Sequence, residues 1–345
     1  MAGQWSLSAD ARVLGIESSC DETAAAVVQA DGRVCSNVVA SQNEFHEHFG
    51  GVVPEIASRR HTEVITAVVA NALANAEVQP ADISLIAVTR GPGLIGSLVV
   101  GVAAAKAYAL AWGLPMVGVN HVEAHLAAAL LHAPGQPAPA AEIFPTLCLI
   151  VSGGHTDLLL RSGPGQSELL GCTRDDAAGE ALDKAARLLG LGFPGGPALE
   201  RAAERGSREA IVFPRPQLPP HEFSFAGLKS ALAREVKERG VLGEDEVADL
   251  AAGFQEAVVQ TLWNALERAA AEHRPQQIVV AGGVAANRRL REVLAQGCGG
   301  LGLRLAVPPP VFCTDNAAMV ALAGAQAFES CGPDSMDFDV FSALP

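Results

Sequence analysis

Apolar and polar positions along the chain fall into short runs of strand length and longer stretches of helical spacing, in a recurring order of strand, turn and helix. Residues 13–16 are apolar, the next seven read Glu17-Ser18-Ser19-Cys20-Asp21-Glu22-Thr23, and 24–28 are apolar again, which predicts strand, tight polar turn, strand. Such a turn is a ligand-loop candidate or an ordinary solvated turn; the stretch alone leaves both open. After Gly50-Gly51, the spacing of Ile56, Val64, Ile65, Val68 and Val69 predicts a helix running past His61 to about residue 74. Residues 83–89 read as a strand entering Arg90-Gly91-Pro92-Gly93-Leu94-Ile95-Gly96-Ser97, a glycine turn whose backbone N–H groups can face an anion, although it matches neither the P-loop nor the dinucleotide fingerprint. The apolar stretch 94–119 invites a membrane reading, but Lys106 sits in its middle and Gly113-Leu114-Pro115 ends it, so the expectation is a buried helix followed by a short strand at 117–119.

Residues 132–140, rich in Pro and Ala and without periodicity, form the clearest linker. The opening pattern then repeats: strand 146–151, turn Ser152-Gly153-Gly154-His155-Thr156-Asp157, strand 158–161. Helices follow at about 175–189, after the turn Phe193-Pro194-Gly195-Gly196-Pro197, after Phe223–Lys229, and at 247–272. A strand at 277–281 meets Gly282-Gly283-Val284-Ala285-Ala286-Asn287, then a helix with Arg288, Arg289 and Arg291; a strand at 303–307, a loop at 308–314 and a last helix from Asp315-Asn316 through 328 complete the chain. Two halves that open alike predict a duplicated α/β fold of two domains with a ligand cleft between them. The boundaries read as 11–131 plus 315–345 for the first domain, 132–143 for the linker and 144–314 for the second.

Composition changes this picture in two ways. With 24 basic and 38 acidic residues the net charge is −14, so a polyanion partner must meet a local patch: Arg288, Arg289 and Arg291 make one candidate, Arg59 with Arg60 another. Seven scattered cysteines without a C-x-x-C pair suit a reducing cytoplasm, and no signal-peptide pattern or membrane span is expected.

The chemistry concentrates in Asn120-His121-Val122-Glu123-Ala124-His125. Two imidazoles four residues apart share one helix face and can meet one metal. Asp315, at a helix start beyond a strand end, is a functional carboxylate or a plain cap. A metallopeptidase would place its base directly after the first histidine, whereas Glu123 lies two positions on, about 200° round the helix.

Ten stretches in one order carry a resemblance: GIESSCDET at 15–23, GGVVPEIASRRH at 50–61, RGPGLIGSL at 90–98, NHVEAH at 120–125, VSGGHTDL at 151–158, DDAAGEALDK at 175–184, FPGGP at 193–197, FSFAGLKS at 223–230, AGGVAANRRLR at 281–291 and TDNAAM at 314–319. Over roughly residues 13–328 the chain resembles the tRNA N6-adenosine threonylcarbamoyltransferase family of the bacterial TsaD type, formerly called O-sialoglycoprotein endopeptidase. The resemblance implies the actin, sugar-kinase and heat-shock-ATPase fold. It implies transfer of a threonylcarbamoyl group from threonylcarbamoyl-AMP to the N6 amine of the adenosine next to the anticodon in tRNAs reading codons that begin with A. It implies metal ligands at His121, His125 and Asp315, holding one Fe2+ per subunit, with zinc allowed by the ligand chemistry and no redox cofactor. Ile150, where an archaeal and eukaryotic branch has tyrosine, argues against a phenolate ligand. Substrate-binding positions fall on Ile150, Val151, Ser152, Gly153, Gly154, Asp183, Gly196 and Asn287. Asp21 or Glu22 is the expected general base, Lys229 a phosphate contact, and a TsaB paralogue with a TsaE ATPase the expected partners. A small-molecule kinase or O-carbamoyltransferase of the same fold is the alternative; a non-catalytic tRNA scaffold would be indifferent to the ligands.

Overall fold

The structure is a computed structural model that describes residues 5–47, 52–163, 166–192, 194–214 and 218–342. The glycine pair Gly50-Gly51 and the turn residue Phe193 lie outside them. In chain order the elements are β1 (Arg12–Glu17), β2 (Glu22–Gln29), β3 (Val34–Ser41), α1 (Asn43–Glu47), α2 (Pro54–Asn75), β4 (Ile83–Gly91), α3 (Ile95–Trp112), β5 (Met116–Asn120) and α4 (His121–Ala127). There follow β6 (Thr146–Val151), β7 (Thr156–Gly163), β8 (Gln166–Cys172), α5 (Ala178–Leu188), α6 (Gly195–Ala203), α7 (Ala226–Arg239), α8 (Glu244–His273), β9 (Gln277–Ala281), α9 (Arg288–Leu301), β10 (Arg304–Ala306) and α10 (Ala317–Cys331).

Two five-stranded sheets carry the architecture, in the orders β3-β2-β1-β4-β5 and β10-β9-β6-β7-β8. Read from its other edge, the second repeats the first. In each, three consecutive strands pair antiparallel, and the first of them is flanked on its other side by two parallel strands. This is the duplicated α/β fold of the actin, sugar-kinase and heat-shock-ATPase type. The chain divides into two compact units, Met1–Ala141 with Thr314–Pro345, and Glu142–Cys313.

In the first unit α10 covers one face of the sheet and α2 and α3 lie against the other, so the central strands are buried on both faces and read as apolar runs. α10 comes close because small residues meet: a side chain at Gly15 would strike Ala321, and Gly324 lies against Ala87. The second unit packs around α8 and the fully buried Phe223, Phe225 and Phe254.

Three expectations need correction. The first hairpin turn is shorter than its polarity suggested: Glu17 ends β1 and Glu22 begins β2, so only residues 18–21 turn. α3 is not a buried helix. Among the described residues it alone is long and apolar enough to cross a membrane by length and composition, yet only 33% of it is buried, and Ile95, Val99 and Leu110 face outward. Lys106 donates to Phe338 O at 2.9 Å. Nor is the α9 arginine face free: Arg288 binds Glu200 and Glu204, Arg289 binds Glu256 and Glu292, and Arg291 donates to Ala285 O and Pro308 O.

Candidate active site

α4 starts directly at the end of β5 because Asn120 caps it, its side-chain oxygen accepting from Val122 N at 2.9 Å and Glu123 N at 3.3 Å. His121 therefore occupies the first helical position and His125 the fifth. Both are buried, while Glu123 is half-buried. Their rings stand edge to face with centroids 4.7 Å apart. Asp315, 23% exposed, precedes the α10 N-cap Asn316; its Oδ1 lies 3.5 Å from His121 Nε2 and 3.2 Å from His125 Nε2.

Behind His121 stands a carboxylate with no solvent exposure at all. Glu17 Oε2 lies 3.3 Å from His121 Nδ1 and accepts from Thr89 Oγ1 at 2.5 Å, while Oε1 accepts from Ser19 N at 2.5 Å. With Nδ1–H shared with Glu17, Nε2, which faces Asp315, is the nitrogen that a metal would take by displacing its proton. Burial opposes an imidazolium here, but the Asp315 and Glu17 carboxylates outweigh it and raise the His121 pKa to about 9. Burial likewise opposes the charge of Glu17, which His121 and the Ser19 amide nevertheless hold ionised. Both ring nitrogens of His125 are buried without a hydrogen-bond partner among the described residues, Nε2 lying 3.2 Å from Asp315 Oδ1. Two imidazoles and a carboxylate converging on one point, with a buried lone pair unused, fit a divalent transition metal.

The short turn between β1 and β2 concentrates acid. Burial first, then Asp21 and Asp315, raise Glu22 to about 9, so it carries its proton at neutral pH in the chain without a cation. Burial also pushes the Cys20 thiol well above its ordinary range.

In the second unit, Ile150 and Val151 are fully buried, so only their backbone can meet a ligand; Gly153 and Gly154 are exposed, with nothing within 4 Å of where a side chain would stand. Ser152 shapes this turn: its Oγ accepts from Gly154 N at 3.3 Å and His155 N at 3.0 Å, and its carbonyl accepts from Gly179 N at 3.1 Å. Asp183, its pKa raised by burial, joins Gly196, whose N–H donates to Oδ1 at 2.9 Å. Asn287 caps α9 by accepting from Leu290 N at 3.0 Å and donates to Gln255 Oε1 at 2.8 Å. Lys229 is held with Lys184 on Asp176, at 2.9 and 2.6 Å.

A family model described as "TsaD: tRNA N6-adenosine threonylcarbamoyltransferase" matches residues 33–322. The chain belongs to this family. A tRNA N6-adenosine threonylcarbamoyltransferase of Symbiobacterium thermophilum is 52% identical over 313 residues, covering 90% of this chain and 90% of that protein. One of Anaeromyxobacter dehalogenans is 51% identical over 329 residues, covering 94% and 97%. Among solved structures, HypF of T. kodakarensis matches with a TM-score of 0.61 at 14% identity, over 96% of this chain and 49% of that one, a likeness of fold alone.

In this member of the family, sequence reasoning passed over Glu17, Thr89 and His61. His61 is fully buried on α2, its Nδ1 2.7 Å from Thr23 Oγ1 and its Nε2 3.0 Å from Cys20 O, bracing the first turn from beneath. The available signal was a glutamate closing an apolar run, taken with the polar turn, and a histidine on the apolar stripe of a helix, given no role.

Proposed function

We propose that the protein is the transferase that moves the threonylcarbamoyl group of threonylcarbamoyl-AMP to the N6 amine of the adenosine next to the anticodon, in tRNAs reading codons that begin with A. The observation that carries this reading is the buried His121–His125–Asp315 cluster, with its unused His125 nitrogens, in a chain 52% identical to a named threonylcarbamoyltransferase. In the reaction the exocyclic amine forms a bond to the carbamoyl carbon, the bond from that carbon to the phosphate oxygen breaks, and AMP leaves with the electron pair. The amine proton passes to a carboxylate. In the chain without a cation, burial and the Asp21 and Asp315 carboxyls keep the proton on Glu22, and we assign that role to Asp21.

His121, His125 and Asp315 would hold one Fe2+, and the same donors accept Zn2+. Such an ion, when bound, supplies Lewis-acid stabilisation of negative oxygens. Glu17 sets the His121 tautomer. The exposed Gly153-Gly154 turn, open where side chains would stand, suits a developing oxyanion or a phosphate. Asp183 with Gly196, and the Asn287 cap, frame the nucleotide, Ile150 and Val151 contributing backbone only.

The net charge of −14 and the internally satisfied α9 arginines support a tRNA surface completed by partners, which we take to be a TsaB paralogue and a TsaE ATPase. Seven scattered cysteines without a C-x-x-C pair support work in the cytoplasm. The domains we assign are 11–131 with 315–345, and 144–314.

The test is a single-turnover assay with threonylcarbamoyl-AMP, unmodified tRNA and both partners, nucleosides being read by mass spectrometry. Asp315→Ala is expected to lose about 3 kcal/mol of charge stabilisation, on the order of 100-fold in rate. An Asp315→Ala protein as fast as the wild type overturns the metal-site reading. A silent wild type that leaves the adenylate intact overturns the transfer and favours a small-molecule kinase or O-carbamoyltransferase.

A further inference from the structure

A second cluster of metal-type donors lies wholly within the second unit, at the C-terminal end of α8. His221 Nε2 stands 3.0 Å from Glu272 Oε2, and the His221 and His273 rings are 5.7 Å apart. One donor atom from each of the three residues lies within 4.8 Å of the others. Two nitrogens are left over: His221 Nδ1 and His273 Nε2 are buried without a hydrogen-bond partner among the described residues. A buried imidazole nitrogen without a partner is costly; a cation held by His221 Nε2, the nitrogen facing Glu272, would relieve that cost at His273 Nε2 and leave His221 Nδ1 as it is.

The backbone around the cluster is held in an unusual way. Three described residues other than glycine have positive φ, and two of them bracket this site, His221 at 71° and Arg274 at 47°. His221 is pressed against β8, where a side chain at Gly171 would meet its Cβ at 3.1 Å. Two residues on, Phe223 N donates to Cys172 O at 3.2 Å, and Phe223 O accepts from Arg174 N at 3.0 Å. His221 is thereby presented from a fixed strand edge to the last turn of α8, which brings Glu272 and His273.

We propose that His221, Glu272 and His273 form a second divalent-cation site of the zinc class, which fastens the segment 218–222 to the end of α8. Two imidazoles and one carboxylate are borderline donors that take zinc, cobalt, nickel or copper ahead of magnesium or calcium. Donors on a tetrahedral zinc stand about 3.3 Å apart, so His221 and Glu272 are close to that spacing and the third donor closes by at most about 1.5 Å. Glu272, 61% exposed, opens the site to solvent and leaves a fourth position for water.

The test is zinc uptake by the chelator-stripped, full-length protein, read by competition with a chromophoric chelator, together with the visible absorption of the cobalt-substituted form. In an Asp315→Ala background, adding His273→Ala or His221→Ala is expected to lower uptake by one equivalent and to remove tetrahedral cobalt bands. His273 sits on the last turn of a 30-residue helix, so its variant is expected to keep the wild-type circular dichroism and to remain informative if His221→Ala fails to fold. The proposal is overturned if the Asp315→Ala protein takes up no zinc, or if His273→Ala leaves uptake and spectrum unchanged. The first site is judged separately, by the difference between wild type and Asp315→Ala.

Discussion

Replacing Glu17 by glutamine keeps the size of the side chain, removes its charge and exchanges one acceptor oxygen for an NH2 donor. The carboxylate serves three donors: Ser19 N–H on Oε1, and the Thr89 hydroxyl and His121 Nδ1–H on Oε2. Glutamine has one acceptor oxygen. If its NH2 takes the Oε1 place, the buried Ser19 N–H faces another donor; if it takes the Oε2 place, Thr89 and His121 do. The first is the cheaper arrangement and costs about 1–3 kcal/mol of stability. In either arrangement His121 loses the anion behind it, and a lost partner of this kind weakens metal binding by roughly 10–100-fold, about 1.4–2.8 kcal/mol. The assay is chelator competition at neutral pH for the ion whose binding Asp315→Ala abolishes, paired with urea unfolding of the metal-free protein. Glu17→Gln should lie between wild type and Asp315→Ala in affinity and below wild type in stability. Affinity within twofold of wild type at unchanged stability would refute the role given to Glu17.

Two further changes separate local effects. Burial raises the half-buried Asp157 on β7 from 3.8 to about 6. The unfolded chain then gives up this proton first, so stability falls as pH rises through that window and the full cost is present above it. That cost has a ceiling of about 3 kcal/mol, and solvent contact reduces it to about 1–2 kcal/mol. Asp157→Asn should therefore unfold at higher urea than wild type near pH 8 and at the same urea near pH 4; an equal gain at both would remove titration as the cause. Gly15→Ala would drive a methyl into α10 at Ala317 and Ala321, costing about 2–3 kcal/mol. Because α10 starts beside Asp315, the same variant should also weaken metal uptake; a stable Gly15→Ala protein with wild-type uptake would contradict the close packing of strand on helix.

The central strands were legible because they are buried on both faces and so read as apolar runs flanked by turns. β8 was not. Its sequence Gln166–Cys172 has no buried face, and without one there is no alternation to see. α3 misled for the opposite reason: Ile95, Val99 and Leu110 are as apolar as its inner face, so composition cannot tell its exposed side from its packed one. His121 and His125 announced themselves by spacing, whereas Glu17 is a polar letter next to a polar turn. Only the pairing of β1 with β4, which brings Thr89 beside it, reveals a buried carboxylate. The α9 arginines carry the same lesson for charge, since their acceptors on α6 and α8 are remote in sequence.

The strand order repeated in the two sheets gives the chain two copies of one hairpin, and the copies have diverged in polarity. The turn between β1 and β2 holds Asp21 and is bounded by Glu17 and Glu22; the turn between β6 and β7 is Ser152-Gly153-Gly154-His155, without a carboxyl. The duplicated scaffold thus presents one loop edged with carboxyls and one without, each mutable without disturbing the other's strands. Exchanging the two turns within their own frames would ask whether ion preference in this architecture is a property of a few loop residues, separable from the fold that presents them.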